Sequence, residues 1–272
     1  MIRETLTSHK ERSPVSKTAL ITGASAGLGV EFARLFAKDK TSLVLVARRE
    51  DRLQQLKNEL ETGFGVKVDT ISLDLTLPHS VSRVLEFLER HHIEIEYLVN
   101  NAGFGQAGSF SAVPLKRNLS QIDLNARSLT ELTYQLLPSM IRKKSGRILN
   151  VGSTAGDQPG PFMAVYYASK AYVNSFSEAL HYELKGTGVT VTLSCPGPTF
   201  TEFAEVASVP NMKMFQMNAM PADVVAHQAY RAMMKGTRRI THGARNKAGS
   251  QLNRLAPKST ALKIVATLNS SK

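Results

Sequence analysis

Six short runs rich in valine, isoleucine and leucine, separated by longer segments with helical spacing, constrain the fold of this chain more than any other feature. The runs are KTALITG from Lys17, SLVLVA from Ser42, VKVDTISLD from Val66, IEYLVNNAG from Ile95, GRILNVGS from Gly146 and GVTVTLSCPG from Gly188. Between them lie LGVEFARLFAKD, REDRLQQLKNELET, LPHSVSRVLEFLERHH and a long helical segment from about Asn118 to Lys144. Strand and helix in alternation call for a parallel sheet covered on both faces. Right-handed crossovers then make it a doubly wound parallel sheet, a three-layer α/β/α arrangement.

No Pro/Gly/Ser linker divides the 272 residues. We therefore read one domain over 17–242, after a polar extension at 1–16 and before a basic segment at 243–272. Within the domain, 201–221 is read as a substrate lid. The lone cysteine, Cys195, has no partner for a disulfide or a zinc site. That fits a reducing compartment, read as cytoplasmic, and no metal ligands are assigned. No apolar run is long enough to cross a membrane, and none near Met1 reads as a signal peptide.

Net charge is +12, and eleven of the 34 basic residues fall from Asn211 onward beside a single acid, Asp223. Such a tail attracts anionic partners. It lacks the aromatic interleaving of a nucleic-acid site, so no nucleic acid is expected. A membrane-peripheral role through SQLNRLAPKSTALKIVATL is an alternative that the internal proline and the lack of an aromatic anchor disfavour.

Ligands of open parallel sheets bind beyond the carboxyl ends of the strands. TGASAGLG, NNAG, VGS and CPGPT all stand where a strand run stops. TGASAGLG, from Thr22 to Gly29, follows the first strand and opens the first helix. A turn of this kind lets backbone N–H groups approach a pyrophosphate at the positive end of the helix. The second strand ends in Ala47, Arg48 and Arg49, where a carboxylate would mark NAD. Guanidinium groups at that end hold a 2′-phosphate and favour NADP(H). Lys17 and Ser25 are further candidates for the phosphate pocket.

Tyr166 and Tyr167 precede Lys170 by four and three residues, and helical spacing alone favours Tyr166 as its partner without excluding Tyr167. A free phenol titrates near about 10, and a neighbouring ammonium favours the phenolate.

With Gly23-x-x-x-Gly27-x-Gly29, the NNAG of Asn100–Gly103, Ser153, Tyr166-x-x-x-Lys170 and Pro196-Gly197 in order and spacing, the chain resembles the short-chain dehydrogenase/reductase family. The resemblance covers about Lys17 to Met234 and implies a Rossmann fold in a compact single domain. It selects Tyr166 over Tyr167, because Tyr166 stands four before Lys170 and thirteen after Ser153. By this resemblance, Tyr166 is the general acid or base, Lys170 binds the nicotinamide ribose and lowers the phenol pKa, and Ser153 donates to the substrate oxygen. Asn125 would hold a relay water. The cofactor would lie against Gly23, Ser25, Ala26, Gly27, Leu28, Gly29, Arg48 and Arg49. Asp74 and Leu75 would border its adenine, and Asn101, Ala102 and Gly103 its ribose. Pro196, Gly197 and Thr199 would face the nicotinamide, with Thr201 at the carboxamide or diphosphate.

The expected activity is NADP(H)-dependent interconversion of a carbonyl and an alcohol on a medium-sized hydrophobic molecule. Met212, Met214, Phe215, Met217 and Met220 are read as lining the lid, with Phe104, Phe162 and Met163 opposite. A dinucleotide-binding sensor or scaffold with little activity is the alternative. By resemblance the protein pairs into a homodimer or homotetramer, through the helix from Asn118 and the helix carrying Tyr166.

Overall fold

The computed structural model describes residues 17–207, 219–255 and 257–269. The expected extension at 1–16, and Met212, Met214, Phe215 and Met217 of the expected lid, lie outside the described residues. Six strands stand where the apolar runs predict them: β1 (Thr18–Thr22), β2 (Ser42–Ala47), β3 (Val68–Ser72), β4 (Tyr97–Asn100), β5 (Gly146–Val151) and β6 (Val189–Cys195). A two-stranded ribbon follows, β7 (Thr199–Phe200) with β8 (Met220–Pro221), and then β9 (Arg239–Thr241). The main sheet has seven parallel strands in the order β3-β2-β1-β4-β5-β6-β9.

Helices connect the strands: α1 (Leu28–Lys38), α2 (Glu50–Phe64), α3 (Ser80–Arg90), α4 (Leu115–Ile122), α5 (Ser128–Lys143) and α6 (Ala164–Glu183). After β7 come α7 (Phe203–Val206), α8 (Ala222–Met234), α9 (Ala244–Leu255) and α10 (Lys258–Asn269). Strand side chains alternate between two cores. Ala19, Ile21, Leu43 and Leu45 face Phe32, Phe36, Leu53, Leu60 and Met233 of α1, α2 and α8. Leu20, Val44 and Val46 face Val84, Leu132, Leu136 and Met140 of α3 and α5. Both faces of each central strand are thus buried, which is why its sequence is apolar in succession. Burying one such leucine or phenylalanine contributes about 1.5–3 kcal/mol.

Three features differ from the expected outline. The segment from Asn118 to Lys144 is not one regular helix. A π-helical turn at Asp123–Arg127 separates α4 from α5, and such single turns are frequent at functional sites. The seventh strand, β9, pairs with β6 through Leu193, Ser194 and Cys195. The basic C-terminal segment carries two helices, and α9 packs on the short 3₁₀ turn Thr154–Asp157 that follows Ser153. No helix among the described residues is long and apolar enough to cross a membrane.

The strand order reverses between β1 and β4, which opens a crevice beyond their carboxyl ends. β6 stops at Cys195 because Pro196 and Pro198 cannot donate to a ladder. The chain leaves the sheet there and forms the wall opposite the glycine turn.

Candidate active site

The crevice is a cleft of about 360 Å³ running from Arg48 and Arg49 at one end to Met163 and Tyr167 at the other. Its floor at one end is the turn from Gly23 to Leu28. Gly27 caps α1 with φ 55, and an added Cβ would stand 2.8 Å from the Thr201 methyl. Gly29 allows the closest packing, since a Cβ there would lie 2.2 Å from the Gly23 carbonyl oxygen. Asn101 lashes this turn to the end of β4: its Nδ2 donates to the carbonyls of Thr22 (3.0 Å) and Gly23 (3.2 Å). The Thr22 hydroxyl oxygen accepts from the Asn101 and Ala102 amides, each at 3.0 Å. Thr22 opens the glycine motif in the sequence, and its fastening role emerges only in three dimensions.

Arg48 is 65% exposed at its side chain, 3.9 Å from the Asp74 carboxylate. Arg49 lies deeper, where Nε and Nη2 donate to the Ser25 hydroxyl at 3.2 and 3.1 Å. Its Nη1 donates to Glu202 at 2.7 Å, and Arg52 pairs with the other oxygen of the same carboxylate. These two guanidinium groups hold the Glu202 carboxyl below its usual range, chiefly through the Arg52 hydrogen bond. Asp74 Oδ1 accepts from the Thr76 amide (2.9 Å) and hydroxyl (2.8 Å), which fixes the turn after β3. Leu75 is buried and lines the cleft, as do Ala26, Leu28, Ala102 and Gly103. Lys17 stands apart from the cleft, with its ammonium over the Tyr97 ring.

At the other end, Ser153, Tyr166 and Lys170 meet in the cleft wall. Tyr166 and Lys170 share α6, and Ser153 follows β5. Burial pushes the Tyr166 phenol well above its ordinary value, and the neighbouring Ser153 hydroxyl offsets part of that rise. Burial also brings Lys170 down to about 8. Its Nζ donates to the Val151 carbonyl at 2.8 Å. The expected acidification of Tyr166 by Lys170 concerns the site with an oxidised nicotinamide bound beside it. Desolvation disfavours the phenolate, so in the protein alone the phenol rests protonated.

Asn125 sits in the π-turn with its amide committed. Nδ2 donates to the Phe104 carbonyl (2.9 Å) and to Ser169 Oγ (3.0 Å), and Oδ1 accepts from the Phe104 amide (3.0 Å). It thus clamps the chain after NNAG. An added Cβ on Gly103 would lie 3.0 Å from Asn125 Oδ1 and 3.4 Å from Lys170 Nζ, so glycine keeps this corner open. Asn125 and Lys170 are thereby brought to one point, 45 positions apart in the chain. On the opposite wall, the Pro196 carbonyl accepts from Ser153 Oγ at 3.3 Å and Thr199 Oγ1 donates to the Gly197 carbonyl at 3.1 Å. Thr201 Oγ1 accepts from the Phe203 amide at 3.2 Å.

Tyr167 is 2% exposed and lies with Met163 at the far end of the cleft. Its hydroxyl donates to Asn269 Oδ1 (3.3 Å) at the end of α10, and Asn269 Nδ2 donates to the Pro161 carbonyl (2.9 Å). Val265 of α10 joins Met163, Tyr167 and Ala207 in one apolar cluster, with Phe203 and Tyr166 against it. The expected partners Phe104 and Met163 line this end, but Phe162 does not; it is 43% exposed. Met220 stands at β8 against Gly243.

Ser153 has support that the sequence did not suggest. Asn174, one turn beyond Lys170 on α6, donates Nδ2 to the Ser153 carbonyl (3.0 Å) and accepts its amide on Oδ1 (3.4 Å). The same Nδ2 reaches Asp157 Oδ1 at 3.3 Å, and Asp157 Oδ2 pairs with Arg239 of β9 at 2.6 Å. Ser250 of α9 donates to that carboxylate too. The neighbouring Asn246 packs on Gly197, where a Cβ would come within 2.4 Å of it. Asn246 belongs to the basic segment 243–272, and only the fold shows that it packs on the cleft wall.

The profile of the short chain dehydrogenase family matches residues 17–213. Sulfoacetaldehyde reductase 2 of Chromohalobacter salexigens is 41% identical over 194 residues, which are 71% of this chain and 76% of that protein. Ketoacyl reductase HetN of Nostoc sp. is 39% identical over 181 residues, 66% of this chain and 63% of that relative, so the match spans less than two thirds of the latter's length. A solved short-chain dehydrogenase from Sphingobium yanoikuyae in complex with NADPH superposes with a TM-score of 0.78 at 32% identity, covering 88% of this chain and 94% of that one. Because the profile runs unbroken from β1 past β7, and so takes in every strand that borders the cleft, this chain belongs to the short chain dehydrogenase/reductase family of oxidoreductases, which bind a nicotinamide dinucleotide.

Proposed function

We propose that this protein is an NADP(H)-dependent oxidoreductase that interconverts a ketone or aldehyde and the corresponding alcohol on a medium-sized apolar molecule. The observation that carries the reading is one cleft with arginines at one end and the Ser153–Tyr166 pair at the other. The residues present suit the cofactor. Backbone amides at the start of α1 favour a pyrophosphate. Arg48, Arg49 and Ser25 supply the donors a 2′-phosphate needs, and no carboxylate stands at the end of β2 to hold a free 2′-hydroxyl. Pro196, Gly197, Thr199 and Thr201 form the wall for the nicotinamide, with Lys170 toward its ribose. When bound, the nicotinamide supplies or accepts the hydride.

Tyr166 gives its proton to the substrate oxygen during reduction and takes it back during oxidation. A phenol that rests protonated through burial is the form reduction consumes. Ser153 hydrogen-bonds the same oxygen as negative charge develops there, and this stabilises the transition state more than the ground state. Lys170, charged below about pH 8, places a positive charge beside the phenol and helps to replace the proton. Asn125 positions the Phe104 backbone at the rim. Met163, Tyr167, Phe203 and Val206 give the far end an apolar lining, which selects a hydrophobic substrate. Exposed Leu119, Ile122 and Tyr134 on α4 and α5, with Tyr172 on α6, support pairing of protomers through these helices.

Turnover of reduced nicotinamide cofactor against a panel of apolar ketones and aldehydes tests the reading, with NADPH and NADH side by side. Faster turnover with NADPH on the larger apolar carbonyls is expected. Inactivity across the whole panel, or faster turnover with NADH, overturns it.

A further inference from the structure

Arg49 is the residue best placed to take an anion beside the glycine turn, yet every donor nitrogen of its guanidinium already has a partner. Nε and Nη2 bond Ser25, and Nη1 bonds Glu202 at 2.7 Å. Arg52 holds the other carboxylate oxygen. Glu202 lies 153 positions from Arg49 and 150 from Arg52, so the chain brings this carboxylate across the cleft to that point. Its aim is set on both sides. Thr201 packs its methyl against Gly27, and the Phe203 ring packs tilted against Tyr166 with ring centroids 5.3 Å apart. An acidic side chain thus sits between two arginines in the place where a phosphate monoester would find them.

We propose that Glu202 is a cofactor-selectivity residue that competes from within the chain with the 2′-phosphate for Arg49. This rests on the reading of Arg48 and Arg49 as the 2′-phosphate site. An incoming phosphate dianion takes the Arg49 donors in a bidentate fashion that a carboxylate matches in shape but not in charge. Glu202 must give up Nη1 for that to happen. The side chains of Glu202, Arg49 and Arg52 are between a third and a half exposed, so the pairing is weak enough to be displaced. Its effect is to reduce the affinity for 2′-phosphorylated ligands while leaving ligands without that phosphate untouched. Glu202 thereby narrows the margin by which the protein prefers NADPH over NADH.

Dissociation constants of NADPH, NADH and 2′,5′-ADP, measured by fluorescence quenching and titration calorimetry for the unaltered protein, Glu202→Gln and Glu202→Ala, decide the matter without recourse to turnover. Both variants are expected to bind NADPH and 2′,5′-ADP tighter by about fivefold, the scale of one exposed ion pair. Their affinity for NADH should stay unchanged, which also serves as the control for an intact fold. If the unaltered protein prefers NADPH but the variants bind 2′,5′-ADP no tighter, or more weakly, Glu202 is not a competitor and the cofactor reading stands. If the unaltered protein binds NADH as tightly as NADPH, the cofactor reading falls and this inference falls with it.

Discussion

His242 offers a prediction whose size can be worked from the structure. Its ring is fully buried between β9 and α9, with Nε2 2.9 Å from Ser194 Oγ and Nδ1 3.0 Å from Gln228 Oε1. An amide oxygen only accepts, so Nδ1 carries the hydrogen and Nε2 accepts from the serine hydroxyl; the imidazole is neutral. Burial lowers its pKa from 6.5 to about 4. A folded-state value below the unfolded one means that the unfolded chain takes up the proton first. The stability is therefore fully present above about pH 6.5 and is lost as pH falls toward about 4. Single-proton linkage makes this loss about 1.4 kcal/mol at about pH 5.5, rising to roughly 3 kcal/mol at about pH 4 and below. Denaturant melts of the unaltered protein and of His242→Asn at about pH 8 and about pH 5.5 give the pH dependence of each. Other ionisable groups contribute alike to both and cancel. The variant is less stable at either pH, but its loss on acidification should be smaller by about 1.4 kcal/mol. Equal losses in the two proteins would refute the reasoning and show that the imidazole does not stay neutral in the fold.

Gly29→Ala drives a methyl group to 2.2 Å from the Gly23 carbonyl; the turn must shift, with a stability loss of about 1–3 kcal/mol in thermal melts and weaker NADPH binding by titration. Asp157→Ala leaves the Arg239 side chain, 11% exposed, without its main partner, and should cost about 3–5 kcal/mol in denaturant melts. Asn269→Ala removes the buried partner of the Tyr167 hydroxyl and of the Pro161 carbonyl. It should cost about 1–3 kcal/mol and change the ratio of turnover on bulky to small ketones while NADPH affinity holds.

The parts of the fold legible in the sequence are those where one physical rule dominates. β1, β2, β4, β5 and β6 are apolar in succession because helices cover both faces, and their ends could be read because glycine, asparagine and proline stop there for steric reasons. β9 escaped notice because it is three residues long, half-buried, and starts in Arg239 beside Arg238, with no apolar run to mark it. The π-turn that carries Asn125 left no trace in composition, since one shifted hydrogen bond changes the backbone and not the residue types. In the site, the strand-end motifs reported their own positions. Arg49–Glu202, Asp157–Arg239 and Tyr167–Asn269 are pairings across 82 to 153 positions that only tertiary packing brings together. The positive charge of the C-terminal segment points to solvent and anions, whereas its Asn246, Ser250, Val265 and Asn269 pack against the cleft walls.

The central claim is that the Tyr166 hydroxyl transfers the proton while its neighbour only shapes the pocket. The direct measurement is the turnover number with NADPH and an accepted ketone for Tyr166→Phe and Tyr167→Phe, with NADPH binding followed in each by fluorescence. Tyr166→Phe should bind NADPH but lose at least about a hundredfold in turnover, the scale of general-acid catalysis, whereas Tyr167→Phe should stay within about tenfold of the unaltered protein. Near-normal turnover in Tyr166→Phe, or its collapse in Tyr167→Phe alone, would contradict the account.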